Sequence, residues 1–195
     1  QEVVDYFVNT PEAQNYLTAI TSELKTNAST VLNNWNNSYS QSFKSNSNDN
    51  SQGSSVSILV NALSQHYEAY IRKGKVGLPA GVFNGFSQQP MPGHVEALHS
   101  GYSIEYATAV MDALRKYVKG NHYNDNTEGQ GLDDYISFVS AKDASGNALE
   151  TTIDNQITTI INTLNMHSNP LSEEVVNNSS QVMATYQEMQ KLVPL

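Results

Sequence analysis

Cysteine is absent from this 195-residue chain. Neither a disulfide framework nor a thiolate metal centre can form, and cysteine usage gives no reading of the redox compartment. Basic residues are scarce: ten Lys and Arg stand against nineteen Asp and Glu, for a formal net charge of −9. Such a field repels phosphate backbones, so nucleic acid is not expected as a partner and anionic membranes are disfavoured. No apolar run approaches the roughly 20 residues that span a bilayer, and no basic segment leads into an apolar one near the start. An initiator Met is also missing. The chain opens directly in amphipathic sequence at Gln1-Glu2-Val3, which reads as a chain already cut from something longer.

Charged residues make up only 15% and hydrophobic ones 38%. The remaining surface must be built from Asn, Ser, Thr and Gln, a composition more usual in envelope and secreted proteins than in cytosolic helical ones. The length suits one domain with a sizeable core.

Thr10-Pro11-Glu12 combines a capping hydroxyl, a proline at the first helical position and an acid near the positive end of the dipole. A helix is expected from there, with Ala13, Tyr16, Leu17, Ile20, Leu24, Ala28, Val31, Leu32 and Trp35 on one face at three-and-four spacing. Trp35, closing the best-periodic stripe in the chain, is expected to be buried. Residues 40 to 55 are rich in Ser, Asn, Asp and Gly and predict a flexible loop. A second helix follows through Val56, Leu63, Tyr67 and Ile71, with Gly74, Gly77 and Pro79 placed to end it.

Gly77 to Gly93 holds four glycines and three prolines, with Val82, Phe83 and Phe86 among them. That stretch exceeds a simple turn and predicts an ordered connection pinned by buried side chains. Ser103 caps a third helix that Gly120 stops. Leu132 to Val139 forms a short one, Leu149 to Leu164 a fourth, and the last runs from Ser172 to Val193. No segment sustains period-two alternation, so the fold class is all-α: an up-and-down bundle of four or five long helices with long irregular connections.

The densest set of metal-ligating types is His94, Glu96 and His99, but positions five apart on a helix point some 140° apart, so spacing argues against a centre. Asp133-Asp134 and Glu173-Glu174 are read as acids favoured in first helical turns. His122 reads as a loop residue, His66 and His167 as helix-surface or hairpin residues, and Met111, Met183, Tyr186 and Met189 as core. No Ser-His-acid set or strained Gly-x-Ser-x-Gly turn supports a nucleophile.

In order, Trp35, the run Tyr70-Ile71-Arg72-Lys73-Gly74-Lys75-Val76-Gly77-Leu78-Pro79-Ala80-Gly81, the block Val95 to Ser103, and Gly129-Gln130-Gly131-Leu132-Asp133-Asp134-Tyr135-Ile136 resemble the second half of the imelysin family. The resemblance covers nearly the whole chain. It implies a two-halved helical protein, exported to the periplasm or cell surface, often lipid-anchored, and linked to iron acquisition.

The family's Gly-x-His-x-x-Glu motif belongs to the N-terminal half and has no match here. The nearest string, Gly93-His94-Val95-Glu96-Ala97, fails twice: Gly directly precedes His, and Ala97 stands where Glu is required. No catalytic residue is therefore carried over.

The resemblance, the long Gly/Pro loop and the start of the third helix together nominate Glu96, Ser100 and Ser103 as ligand-facing residues. Implied partners are an N-terminal half of the same protein and a small ligand or a metal ion such as iron or another divalent cation. A metallopeptidase with its His/Glu motif in that other half is the competing reading, and a structural surface-interaction bundle the third.

Overall fold

The computed structural model describes residues 1–46 and 53–195. Its fold is all-α, and among the described residues extended pairing is confined to isolated bridges, Asn121 with Glu128 and Lys142 with Ala148. The sequence reading treats the chain as one domain. Its contacts divide it into two compact units, Gln1–Asn61 and Ala62–Leu195.

The first unit contains α1 (Glu2–Asn9), α2 (Pro11–Asn34), a π-helical turn (Trp35–Tyr39), α3 (Ser40–Ser45) and the beginning of α4 (Ser55–His66). Pro11 opens α2 after Thr10 as the sequence predicts, although the Thr10 side chain makes no capping bond. The expected loop at 40 to 55 needs correction at both ends. Ser40–Ser45 is helical, and Ser54 and Ser55 are buried, with Ser55 Oγ donating to the Phe43 carbonyl at 2.5 Å. Residues 47–52 lie outside the described residues.

Trp35 corrects a second expectation, since it is 41% exposed rather than buried. Its ring meets Tyr39 and Phe43 at centroid distances of 5.9 and 5.6 Å, and no residue of α1, α2 or α3 is buried. Periodicity reports which residues share a face; it does not report whether another element covers that face.

The second unit is a helical bundle. The π-helix Tyr67–Gly77 continues α4 without a break, followed by α5 (Ser103–Val118), α6 (Leu132–Phe138), α7 (Leu149–Leu164), α8 (Leu171–Asn177) and α9 (Ser179–Lys191). The π-helix touches α5 and α9, and α7 touches the same two, so four helices close a ring. Ile71, Met111, Ile157, Ile160, Leu164, Val182 and Met189 fill it, each at most 1% exposed. Met111 and Met189 are core, as the sequence predicts.

The expected single helix from Ser172 to Val193 is broken at Asn178, whose φ of −131° leaves the helical region. Asn178 Nδ2 donates to Glu174 Oε2 at 3.0 Å, a local side-chain bond that competes with helical continuation.

Candidate functional site

The eleven residues Tyr67–Gly77 wind as a π-helix, with the Leu78 N–H reaching the Lys73 carbonyl at 2.8 Å across five residues. Gly74 does not interrupt the winding, which ends at Gly77, within the Gly74, Gly77 and Pro79 expected to stop it. π-Turns are uncommon, and they cluster at functional sites.

This winding buries Arg72 against α9. Its Nη1 donates to the Tyr186 hydroxyl at 2.5 Å and to Gln190 Oε1 at 2.7 Å, and Nη2 donates to Glu68 Oε2 at 3.2 Å. The guanidinium carbon sits 5.7 and 5.6 Å from the ring centres of Phe83 and Tyr186, within cation–π range of both. Arg72 Nε is buried without a partner. Tyr67 donates its hydroxyl to the Met189 carbonyl at 2.7 Å, and burial pushes its pKa well above the ordinary tyrosine value, with the charge of Arg72 acting the other way.

The Gly77 to Gly93 connection docks onto this surface. At Gly77 a Cβ would fall 2.9 Å from the Tyr186 ring, and at Gly81 (φ +83°) it would run into the Gln89 carbonyl group, so both positions demand glycine. The Met91 N–H reaches the Pro79 carbonyl at 2.8 Å, and Asn84 Nδ2 reaches that of Gln89 at 2.5 Å. Phe83 meets Tyr186 edge-on at 6.1 Å and carries Lys73 Nζ over its face at 5.1 Å. Phe83 and Phe86, both expected among the buried anchors, are 37% and fully exposed.

Glu96 and Ser103 come together, through different atoms. Lys75 Nζ donates to the Glu96 carboxylate, whose side chain is 45% exposed, while Ser103 Oγ donates to the Glu96 backbone carbonyl. Ser103 is buried and is the first helical residue of α5, not its cap; the capping position falls to Tyr102. Ser100 is exposed. Between them Ala97 adopts the left-handed region (φ 53°), and its carbonyl accepts from Ser100 N at 3.1 Å, Gly101 N at 2.9 Å and Ser100 Oγ at 3.2 Å. His94 and His99 lie exposed beside this turn, and among the described residues no three His, Asp or Glu gather to hold a metal.

A second polar cluster escapes a sequence reading. The His167 and Glu174 side chains are 1% and 3% exposed, with Nδ1 of His167 3.2 Å from Glu174 Oε2 and Nε2 3.0 Å from Thr185 Oγ1. Glu174 Oε1 accepts from Asn169 N at 3.1 Å and Nδ2 at 2.9 Å. His167 is thus interior rather than a hairpin surface residue, and Glu174 does more than favour a dipole. The available signal was the amides Asn169 and Asn178 flanking one acid.

A cleft of about 150 Å³ lies between α5 and α7, where Arg115 Nε and Nη2 donate to both Asp154 oxygens at 2.6 and 2.8 Å. This fork is closed upon itself, and the volume falls short of the roughly 300 Å³ at which ligand pockets begin.

The imelysin family model, which also bears the label peptidase M75, matches residues 1–194. The chain belongs to the imelysin family. No curated protein and no solved structure matches it. Within the second unit of this imelysin, two of the blocks that carry the resemblance fall on one region: Arg72 and Lys75 on the π-helix, Gly77 and Gly81 at the start of the loop, and Glu96 to Ser103 at its far end. The other block, Gly129 to Ile136, forms the start of α6, where Asp134 Oδ2 accepts from the Gly131 N–H at 2.9 Å.

Proposed function

We propose that this imelysin acts as a binding module, not an enzyme: one half of an exported cell-envelope protein linked to iron or metal uptake, which holds a metal ion or small ligand where it meets an N-terminal half. Glu96, Ser100 and Ser103 form its ligand side in this reading. Glu96 and Ser100 face outward, and Ser103 holds the Glu96 backbone from beneath.

The observation that carries the reading is the way the Glu96 turn is held. A half-exposed carboxylate is oriented by Lys75, its backbone is fixed by the buried Ser103, and the next residue sits in a costly left-handed conformation. Backbone strain of this kind persists only where the surroundings over-determine it, and such places are often functional. The side chains of this chain do not fit a complete metal centre. In the metal-binding form of the proposal, the donors beyond Glu96 come from the N-terminal half.

The test uses the full-length protein. Glu96→Ala and Ser100→Ala should each weaken zinc or ferrous-iron binding in calorimetry while leaving the melting temperature nearly unchanged. Normal binding in both variants, or parallel loss of binding and stability, removes this surface from the ligand side. The family's peptidase label supports a second reading, a hydrolase whose His/Glu motif lies in the other half. Chelator-sensitive proteolysis by the full-length protein, lost on mutating that His, would establish it.

A further inference from the structure

The α2 stripe is the largest unsatisfied feature of the first unit. Tyr16, Leu17, Ile20, Leu24, Val31, Leu32 and Trp35 are between 41% and 71% exposed. A helix gains most of its stability from packing its apolar face, so a stripe of this size calls for a partner.

The spacing of the stripe is palindromic. From Ala13 the steps are 4, 3, 4, 4, 3 and 4 through Leu17, Ile20, Leu24, Ala28 and Val31 to Trp35, symmetric about Leu24. An eleven-residue repeat drifts little around a straight helix, so the seam stays continuous over the whole of α2.

We propose that α2 pairs with α2 of a second copy of this chain, antiparallel, on a two-fold axis at Leu24. In that arrangement each residue lies level with the one whose number completes a sum of 48. Leu24 meets Leu24, Leu17 lies level with Val31, Ile20 with Ala28, and Ala13 with Trp35. Ile20 and Trp35 thus fall opposite the small Ala28 and Ala13, while Leu24 with Leu24 and Leu17 with Val31 bring apolar side chains face to face.

No charge opposes the contact. Between Glu12 and Lys44 the only charged residues are Glu23 and Lys25, each turned about 100° from the Leu24 direction. Seven large apolar side chains exposed to this degree offer on the order of 800 Å² per copy, the amount a standard stable interface buries.

Residues 1–195 contain no cysteine of their own, so an introduced one can be followed. In the full-length protein, Leu24→Cys should form a covalent dimer under mild oxidation, whereas Ser22→Cys, on the opposite face, should not. Leu17→Cys alone should crosslink poorly, yet an equimolar mixture with Val31→Cys should give the heterodimer. Light scattering should read twice the chain mass for the unmodified protein and the single mass for Leu24→Asp, with helicity retained.

A monomer at every concentration, or crosslinking at position 24 no better than at position 22, overturns the proposal. So does a parallel pattern, in which position 17 crosslinks to itself and the 17/31 mixture fails.

Discussion

His167 and Glu174 meet inside the second unit, ring Nδ1 to carboxylate Oε2 at 3.2 Å, in an interior that leaves neither side chain more than 3% exposed. A carboxylate so placed is tolerable only because its oxygens are occupied by donors. Burial by itself would raise its proton affinity. The hydrogen bonds from His167, Asn169 and Asn178 outweigh that and hold the carboxyl at about 2, below its ordinary 4.5.

The first prediction follows from this depression. A carboxyl more acidic in the folded than in the unfolded chain contributes stability that is fully present above about pH 4.5 and is lost as the pH falls toward 2. Thermal melts across that window should show stability rising with pH. In Glu174→Ala the slope should flatten, at a cost near neutrality of about 3–5 kcal/mol for breaking a buried pair. An unchanged slope would mean that Glu174 is not the titrating group.

Arg72 provides the second. Tyr186→Phe removes one of the two acceptors of Nη1 while keeping the ring over the guanidinium, and should cost about 1–3 kcal/mol. Arg72→Lys should cost more, because an ammonium cannot reproduce the fork that reaches Tyr186, Gln190 and Glu68 together. Denaturant midpoints of the two variants check the order.

Gly81→Ala is predicted to be severe for so small a change. The new methyl would meet backbone atoms of Gln89, and the φ of +83° is unfavourable for any side chain. A loss of about 2 kcal/mol or more is expected, with increased proteolysis within residues 82 to 91. Normal stability would show that the loop does not need its close approach to Gln89.

Ala97→Gly should act in the opposite direction. Relief of a left-handed alanine returns about 1–2 kcal/mol, partly offset by the greater freedom of glycine in the unfolded chain. The net gain expected is about 0.5–1 kcal/mol, read as a raised melting temperature. A fall would show that the methyl of Ala97 contributes packing worth more than its strain.

Local chemistry was enough to determine much of this protein. Pro11 after Thr10, the three-and-four spacing of α5 and α7, and the polar breaks around residues 121 to 131 depend on interactions within a few residues, so they are legible in the sequence alone. The family resemblance and the identity of the core methionines were legible for a related reason, since both rest on ordered local patterns. Tertiary structure decided the rest. Trp35 sits on a perfect stripe and is exposed, while His167 sits in an unremarkable hairpin and is buried, because burial depends on what packs from elsewhere in the chain. The same holds at the candidate site: nothing local distinguishes a Ser103 that caps its helix from one that turns back to the Glu96 carbonyl, and nothing local winds Tyr67–Gly77 as a π-helix. That winding goes with the burial of Arg72 against Tyr186 and Gln190, more than a hundred residues away, and contacts across such a distance leave no periodic trace in the sequence.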